Sequence, residues 1–294
     1  MSKLMMATLL GTMTALSMTP AQGQDKLADG APTAEAMGWR VACQAYSFNR
    51  FTFYEAVDKT AAVGLHFIEA YPGQRLSKDK AEDVVFDHNM SPELQKEVLA
   101  YCASKNVKIV NYGVVGLPKE EAESRKVFEF AKAMGLETIV SEPAKVAMDT
   151  VEKLVKEYGI SMAIHNHPKP SLYWDYKRTI EALEGRDARM GACVDTGHYP
   201  RSGIVSLDAV KALADANRII SFHFKDLNEF GNPKAHDVPW GTGVCNVKDI
   251  MALLKEKNVK GVFSIEYEHN WDNSLPEIAE CVKNFEKFAQ ELSK

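Results

Sequence analysis

From Trp39 onward, short apolar runs alternate with longer stretches in which apolar residues recur every three or four positions. The short runs predict strands at 40–46, 66–70, 108–112, 138–141, 161–165, 190–195, 219–225 and 261–267. Between and after them the periodicity predicts helices at 53–62, 93–103, 121–134, 148–158, 207–216, 247–255 and 278–292. Ser91-Pro92 and Asn246 are start signals for two of these helices. The strands begin about 32 residues apart, the size of a βα unit. Eight such units with no break in composition predict one domain, and the natural closure is a (β/α)8 TIM barrel over 39–294. An open doubly wound sheet is the alternative. It is disfavoured because no GxGxxG follows the first strand.

Residues 1–23 break the pattern. Lys3 is their only charge, 4–18 is apolar or small, and Ala21-Gln22-Gly23 resembles a cleavage site, so this stretch is expected to be a signal peptide. Residues 24–38 read as a polar linker. Cleavage would leave 271 residues, an exported and periplasmic protein with no stable membrane insertion. The five cysteines, Cys43, Cys102, Cys193, Cys245 and Cys281, are widely and irregularly spaced, which predicts buried thiols instead of a disulfide framework. The formal charge of −5 argues against a phosphate-backbone partner. The oligomeric state stays open.

Ionisable residues gather at the strand ends. Glu69 ends strand two, Glu142 follows strand four, and His165 with His167 ends strand five. Asp195 and His198 end strand six, His223 and Lys225 strand seven, and Glu266 and Glu268 strand eight. Period-two alternation points His223 and Lys225 inward and Phe222 and Phe224 outward, and it turns Glu266, His165, Asp195 and Glu142 inward as well. Converging carboxylates resist ionisation together unless a cation sits among them. Glu142, Asp195, His223 and Glu266 offer three carboxylates and an imidazole, a set that suits Mn²⁺, Co²⁺, Mg²⁺ or Zn²⁺. Long loops at 73–90 and 228–245 lie on the same face, where Trp240 could stack on a sugar and Glu69 could bind a hydroxyl.

Cys43-Gln44-Ala45-Tyr46-Ser47-Phe48, Asp195-Thr196-Gly197-His198, His223-Phe224-Lys225-Asp226 and Val238-Pro239-Trp240-Gly241-Thr242-Gly243, with the final Glu266, resemble the xylose isomerase-like barrel superfamily, in its sugar phosphate isomerase/epimerase branch. The resemblance implies one divalent metal on Glu142, Asp195, His223 and Glu266, acid/base roles for Glu142 and Glu266, and substrate contact by His198. A DNA-repair branch carries histidines where this chain has Glu69 and Asn111-Tyr112, which speaks against a zinc cluster and a nucleic-acid substrate. The run from Ala42 to Gln74 is similar to exported members that process 3-keto-glycosides. The expected activity is therefore metal-assisted proton abstraction next to the carbonyl of a keto sugar, giving isomerisation or epimerisation. The alternatives are a lyase or hydratase on 3-keto-glycosides and a sugar-binding barrel without catalysis. His165, His167, His198, Lys225 and Trp240 join Glu69 as expected substrate contacts.

Overall fold

The computed structural model describes residues 26–294, so the expected signal peptide lies outside the described residues. Eight parallel strands are formed: β1 (Trp39–Gln44), β2 (Phe67–Ala70), β3 (Lys108–Tyr112), β4 (Thr138–Ser141), β5 (Ser161–His165), β6 (Met190–Asp195), β7 (Ile219–Phe224) and β8 (Gly261–Ile265). Each pairs with its neighbours in the chain, and β1 pairs with β8 from Trp39↔Gly261 to Cys43↔Ile265. That last pairing closes the sheet into a barrel and removes every edge. Besides two short helices of four and five residues, the helices among the described residues are α1 (Phe53–Ala62), α2 (Pro92–Ser104), α3 (Glu121–Ala133), α4 (Met148–Tyr158), α5 (Tyr176–Leu183), α6 (Ser206–Asp215), α7 (Val247–Glu256) and α8 (Leu275–Ser293). No helix among the described residues is long and apolar enough to cross a membrane.

The alternation within strands sorts side chains as the pattern predicts. Ala42, Val110 and Val262, with Phe67, pack inside the barrel, as do Val140, Ala163 and Cys193 with Val114 and Ile220. Outward-facing Phe222, Phe224 and Phe263 pack with Phe285 of α8, ring centroids 4.5–5.8 Å apart. At the opposite end from the polar residues, the Glu137 carboxylate at the start of β4 accepts from Arg40 of β1 at 2.6 Å and from Lys108 of β3 at 2.8 Å.

Three local expectations need correction. The stretch that reads as a linker is packed: Ala28, Ala31 and Ala34 are buried, Pro32–Ala36 is a short helix, and Glu286 of α8 accepts from the Thr33 and Ala34 amides. Five residues are too few to show a periodicity. Helix α5 is absent from the predicted helices: it has only eight residues, of which Thr179 and Leu183 are buried and Tyr176, Ile180 and Ala182 pack partly against the core. Asn246 precedes α7 but makes no side-chain cap bond; its backbone is left-handed, φ 61°. Ser91 acts as expected and accepts from the Leu94 amide, and Thr52, not singled out in the sequence, forms a capping box with Glu55.

Both long loops have internal order. Gln74–Arg75 pairs antiparallel with Val85–Phe86, and buried Phe86 packs on Phe53 and Tyr112. The loop after β7 is pinned by Asp226: one carboxylate oxygen accepts from the Gly241 and Gly243 amides and the other from Leu227 and Cys245, all at 2.8–3.0 Å. A Cβ on Gly243 would lie 2.2 Å from the Leu227 carbonyl, so the chain passes there only as glycine.

Candidate active site

Beyond the apolar layers, the C-terminal mouth holds a continuous network of charged groups. Asp195, at the end of β6, is fully buried. Its Oδ1 accepts from the Gly197 and His198 amides at 2.9 and 2.7 Å, which fixes the carboxylate and turns Oδ2 to the centre. Three groups converge on that oxygen: Lys225 Nζ at 2.5 Å, His198 Nε2 at 3.4 Å and His165 Nε2 at 3.5 Å. Lys225 also donates to Glu266 Oε2 and stands 3.5 Å from Glu268. Gly197 makes room for it, because a Cβ there would meet the Lys225 side chain at 2.9 Å.

His223 lies between two carboxylates. Its Nδ1 is 3.0 Å from Glu266 Oε2 and its Nε2 is 2.7 Å from Glu69 Oε1. Glu69 in turn accepts from Ser264 Oγ at 2.6 Å and Asn111 Nδ2 at 3.2 Å. All of Glu69 is buried, and its carboxylate is engaged with His223, Ser264 and Asn111, so in this arrangement it orients His223. Glu142 stands across the mouth. It faces His165 Nδ1 at 3.1 Å and His167 Nδ1 at 2.5 Å, and accepts from Ser171 Oγ at 2.8 Å. His167 is half-exposed at the rim. Trp240 is not at the mouth at all: its ring is buried against Phe224 and Phe285, at 4.9 and 5.3 Å, on the helix side of the barrel.

Hydrogen-bond partners fix what each imidazole can offer. Arg201 Nη1, which can only donate, lies 3.0 Å from His198 Nδ1, so the His198 proton is on Nε2 and faces the centre. Burial, with Lys225, His165 and Arg201 nearby, keeps His198 neutral by lowering its pKa against the pull of Asp195. His198 is therefore a hydrogen-bond donor to whatever enters. His165 is the reverse. Its Nδ1 faces Glu142, and its buried Nε2 has no hydrogen-bond partner.

The charges are strongly coupled. Burial opposes ionisation of Glu266, yet His223 and Lys225 hold its carboxyl well below the usual range. Burial likewise opposes charge on Lys225, and Asp195, Glu266 and Glu268 outweigh it, so its ammonium is firmly retained. Glu142 is only partly buried; burial opposes its charge, and the hydrogen bonds of His165 and His167 outweigh that and hold its carboxyl well below normal. Asp237, buried near Lys225, Glu268 and Arg201, is pushed up to about 8, with burial the main cause.

Donor atoms of His165, Asp195, His198 and Glu266 lie within 4.8 Å of one another, and so do those of Glu142, His165 and His167. The unpartnered His165 Nε2, aimed at Asp195 Oδ2, together with the surplus of carboxylates, fits a divalent cation. The arrangement differs from the expected ligand set in two ways. Glu142 stands behind His165 as the carboxylate that orients it, and both nitrogens of His223 are engaged by Glu69 and Glu266. His198, tied to Arg201, is the least suited of the nearby donors.

A family model described as "Xylose isomerase-like TIM barrel" matches residues 57–285. The chain belongs to the xylose isomerase-like TIM barrel family. A curated relative, inosose isomerase of Halalkalibacterium halodurans, is 26% identical over 166 residues, which is 49% of this chain and 57% of that protein. The chain thus matches little more than half the length of this relative. Among solved structures, an uncharacterised protein from Parabacteroides distasonis is 30% identical with a TM-score of 0.69, covering 86% of this chain and 99% of its own. The IOLI protein, solved with a bound zinc atom, is 12% identical with a TM-score of 0.63, covering 86% and 99%. At that identity the likeness is one of fold.

Arg201 is the main residue that sequence reasoning did not single out. Besides His198, its guanidinium donates to Glu268 at 2.9 Å, Asp237 at 3.2 Å and the Ala235 carbonyl at 3.1 Å. The available signal was its place three residues after His198, one turn along the same short helix, His198–Arg201. Ser171 gave no signal, since it sits in an irregular loop and reaches Glu142 only through the fold.

Proposed function

We propose that this xylose isomerase-like barrel is a divalent-metal-dependent isomerase or epimerase that removes the proton next to the carbonyl of a keto sugar. The observation that carries the reading is the buried chain Asp195–Lys225–Glu266–His223, with Glu142 facing it through His165 across one mouth. Family membership and the inosose isomerase relative support it. Asp195, Glu266, His165 and, on release of one ring nitrogen, His223 would hold the cation. When bound, it would polarise the sugar carbonyl and a neighbouring hydroxyl.

The remaining steps belong to the chain's own groups. Glu266 is ionised, and its basicity is restrained by the ammonium of Lys225. A substrate oxygen that draws Lys225 onto itself releases this restraint, so Glu266 becomes a stronger base as the oxygen becomes an anion. His198 Nε2–H supplies a second hydrogen bond to the enediolate. Glu142, which is partly exposed, would take a proton from water at the rim and deliver it to the other face to give an epimer, while return of the abstracted proton by Glu266 to the neighbouring carbon would give an isomer. Residues 1–23 would direct the protein to the periplasm.

The test is turnover of a panel of ketoses and keto-glycosides with added Mn²⁺ or Co²⁺, followed by NMR. An inverted centre or a moved carbonyl supports the reading. Binding without conversion of any member would make this a sugar-binding barrel instead.

A further inference from the structure

Arg201 ends the short helix that carries His198, and its guanidinium is engaged on two sides. Toward the centre, Nη1 donates to His198 Nδ1 at 3.0 Å and to Glu268 Oε2 at 2.9 Å. On the other side, Nε donates to the Ala235 carbonyl at 3.1 Å and Nη2 to Asp237 Oδ2 at 3.2 Å. Both of these acceptors belong to one hairpin in the loop after β7. A single bond would let the planar group turn about it. Two acceptors on one edge fix the plane, and with it the direction of Nη1.

The hairpin is itself well fixed. Leu227 and Asp237 form an antiparallel bridge, the Val238 amide donates to the Asp226 carbonyl at 2.9 Å, and the Tyr267 hydroxyl donates to the Asp237 carbonyl at 3.2 Å. The Gly231 amide donates to the Pro200 carbonyl at 3.0 Å, which ties the hairpin to the helix of His198. The rings of His236 and His269 stack at 4.3 Å, which ties it to the segment after β8. Asp237 is buried and belongs to neither group of converging metal donors. Its Oδ1 has no hydrogen-bond partner among the described residues. A buried oxygen without a donor disfavours the ionised carboxyl, in line with its pKa of about 8. Near pH 7 Asp237 therefore serves Arg201 as a neutral acceptor.

We propose that Asp237 is a positioning residue for the proton abstraction: by holding Arg201 in plane, it keeps the N–H of His198 turned to the centre. The proposal rests on the isomerase or epimerase reading for the part His198 plays in the reaction. The orientation of the imidazole itself can be read without turnover.

The experiment takes two readouts on the full chain. Long-range ¹H–¹⁵N correlation of the ¹⁵N-histidine protein without metal shows which nitrogen of His198 carries the proton, with His198→Gln assigning the signals. Exchange of the α-proton of a keto sugar in D₂O with Mn²⁺ gives kcat and KM. The wild type should carry the proton on Nε2. Asp237→Ala and Asp237→Leu both remove the acceptor and differ in volume. Each should give a mixed or Nδ1-protonated His198 and a kcat lower by about 10–100-fold, with KM within about threefold. Asp237→Asn keeps an acceptor for Nη2 and should restore the Nε2 proton, with kcat within about threefold of the wild type. An unchanged tautomer and kcat in both acceptor-less variants overturns the proposal, and so does a loss in Asp237→Asn as large as in Asp237→Ala. Loss of the folded barrel in both acceptor-less variants, read by circular dichroism, makes Asp237 purely structural and overturns it as well. If the tautomer responds as expected but the wild type exchanges no keto-sugar proton, the isomerase or epimerase reading fails and the hold of Asp237 on His198 stands.

Discussion

Lys225 is the residue on which the site turns. Its ammonium shares Asp195 Oδ2 and Glu266 Oε2, the same oxygens a divalent cation would use. Lys225→Gln removes the competing charge but keeps a polar side chain. The expected result is Mn²⁺ affinity higher by at least about tenfold, with α-proton exchange slower by about a hundredfold because the oxyanion donor is lost. Calorimetry with Mn²⁺ and exchange NMR measure the two effects separately, and unchanged affinity would show that the ammonium and the metal do not compete. At this scale the sequence was partly legible. Alternation alone placed His223, Asp195 and Glu266 inward. It could not show that Arg201 fixes the His198 tautomer or that Glu69 is sealed beneath His223, because those pairings depend on side-chain reach across the barrel. Trp240 misled for a similar reason. A tryptophan beside Gly241 and Gly243 reads as a loop tip, yet Asp226 folds that loop back and buries the ring.

Among the elements, two devices outside the centre keep the mouth in shape. Asp226 closes the loop after β7 through four backbone amides. Asp226→Ala leaves those amides unpaired and is expected to cost about 2–4 kcal/mol of stability in urea unfolding. A change below about 0.5 kcal/mol would mean the loop holds itself. At the other end, Glu137 joins β1, β3 and β4. Hydrogen bonds from Arg40, with Lys108 adding and burial opposing, lower its pKa from 4.5 to about 2. A carboxyl with a lowered folded pKa binds fewer protons folded than unfolded, so its contribution is present above about 4.5 and lost as pH falls toward about 2. Glu137→Gln should flatten the fall in melting temperature over that window; an unchanged profile contradicts the assignment. The strands that carry these groups were legible because buried parallel strands are short apolar runs with turn signals on either side. Helix α5 was not, because it is only eight residues long, with Thr179 and Leu183 its only fully buried residues and Tyr176 and Ile180 only partly covered.

For the molecule as a whole, the net charge of −5 is spread unevenly. Glu69, Glu142, Asp195, Glu266 and Glu268 meet Lys225 and Arg201 at one end of the barrel. Such a mouth favours a neutral, hydroxyl-rich ligand and a cation over a phosphate. The closed barrel supplies eight strand ends to one rim, and the family shares that architecture. The central claim of the proposed function is the proton abstraction assigned to Glu266. The measurement that tests it most directly is ¹H NMR of a keto sugar in D₂O with Mn²⁺, comparing the wild type with Glu266→Gln. The account predicts deuterium at the carbon next to the carbonyl with the wild type, and exchange slower by about 10²–10⁴-fold with the variant. Exchange at the wild-type rate by Glu266→Gln would contradict it.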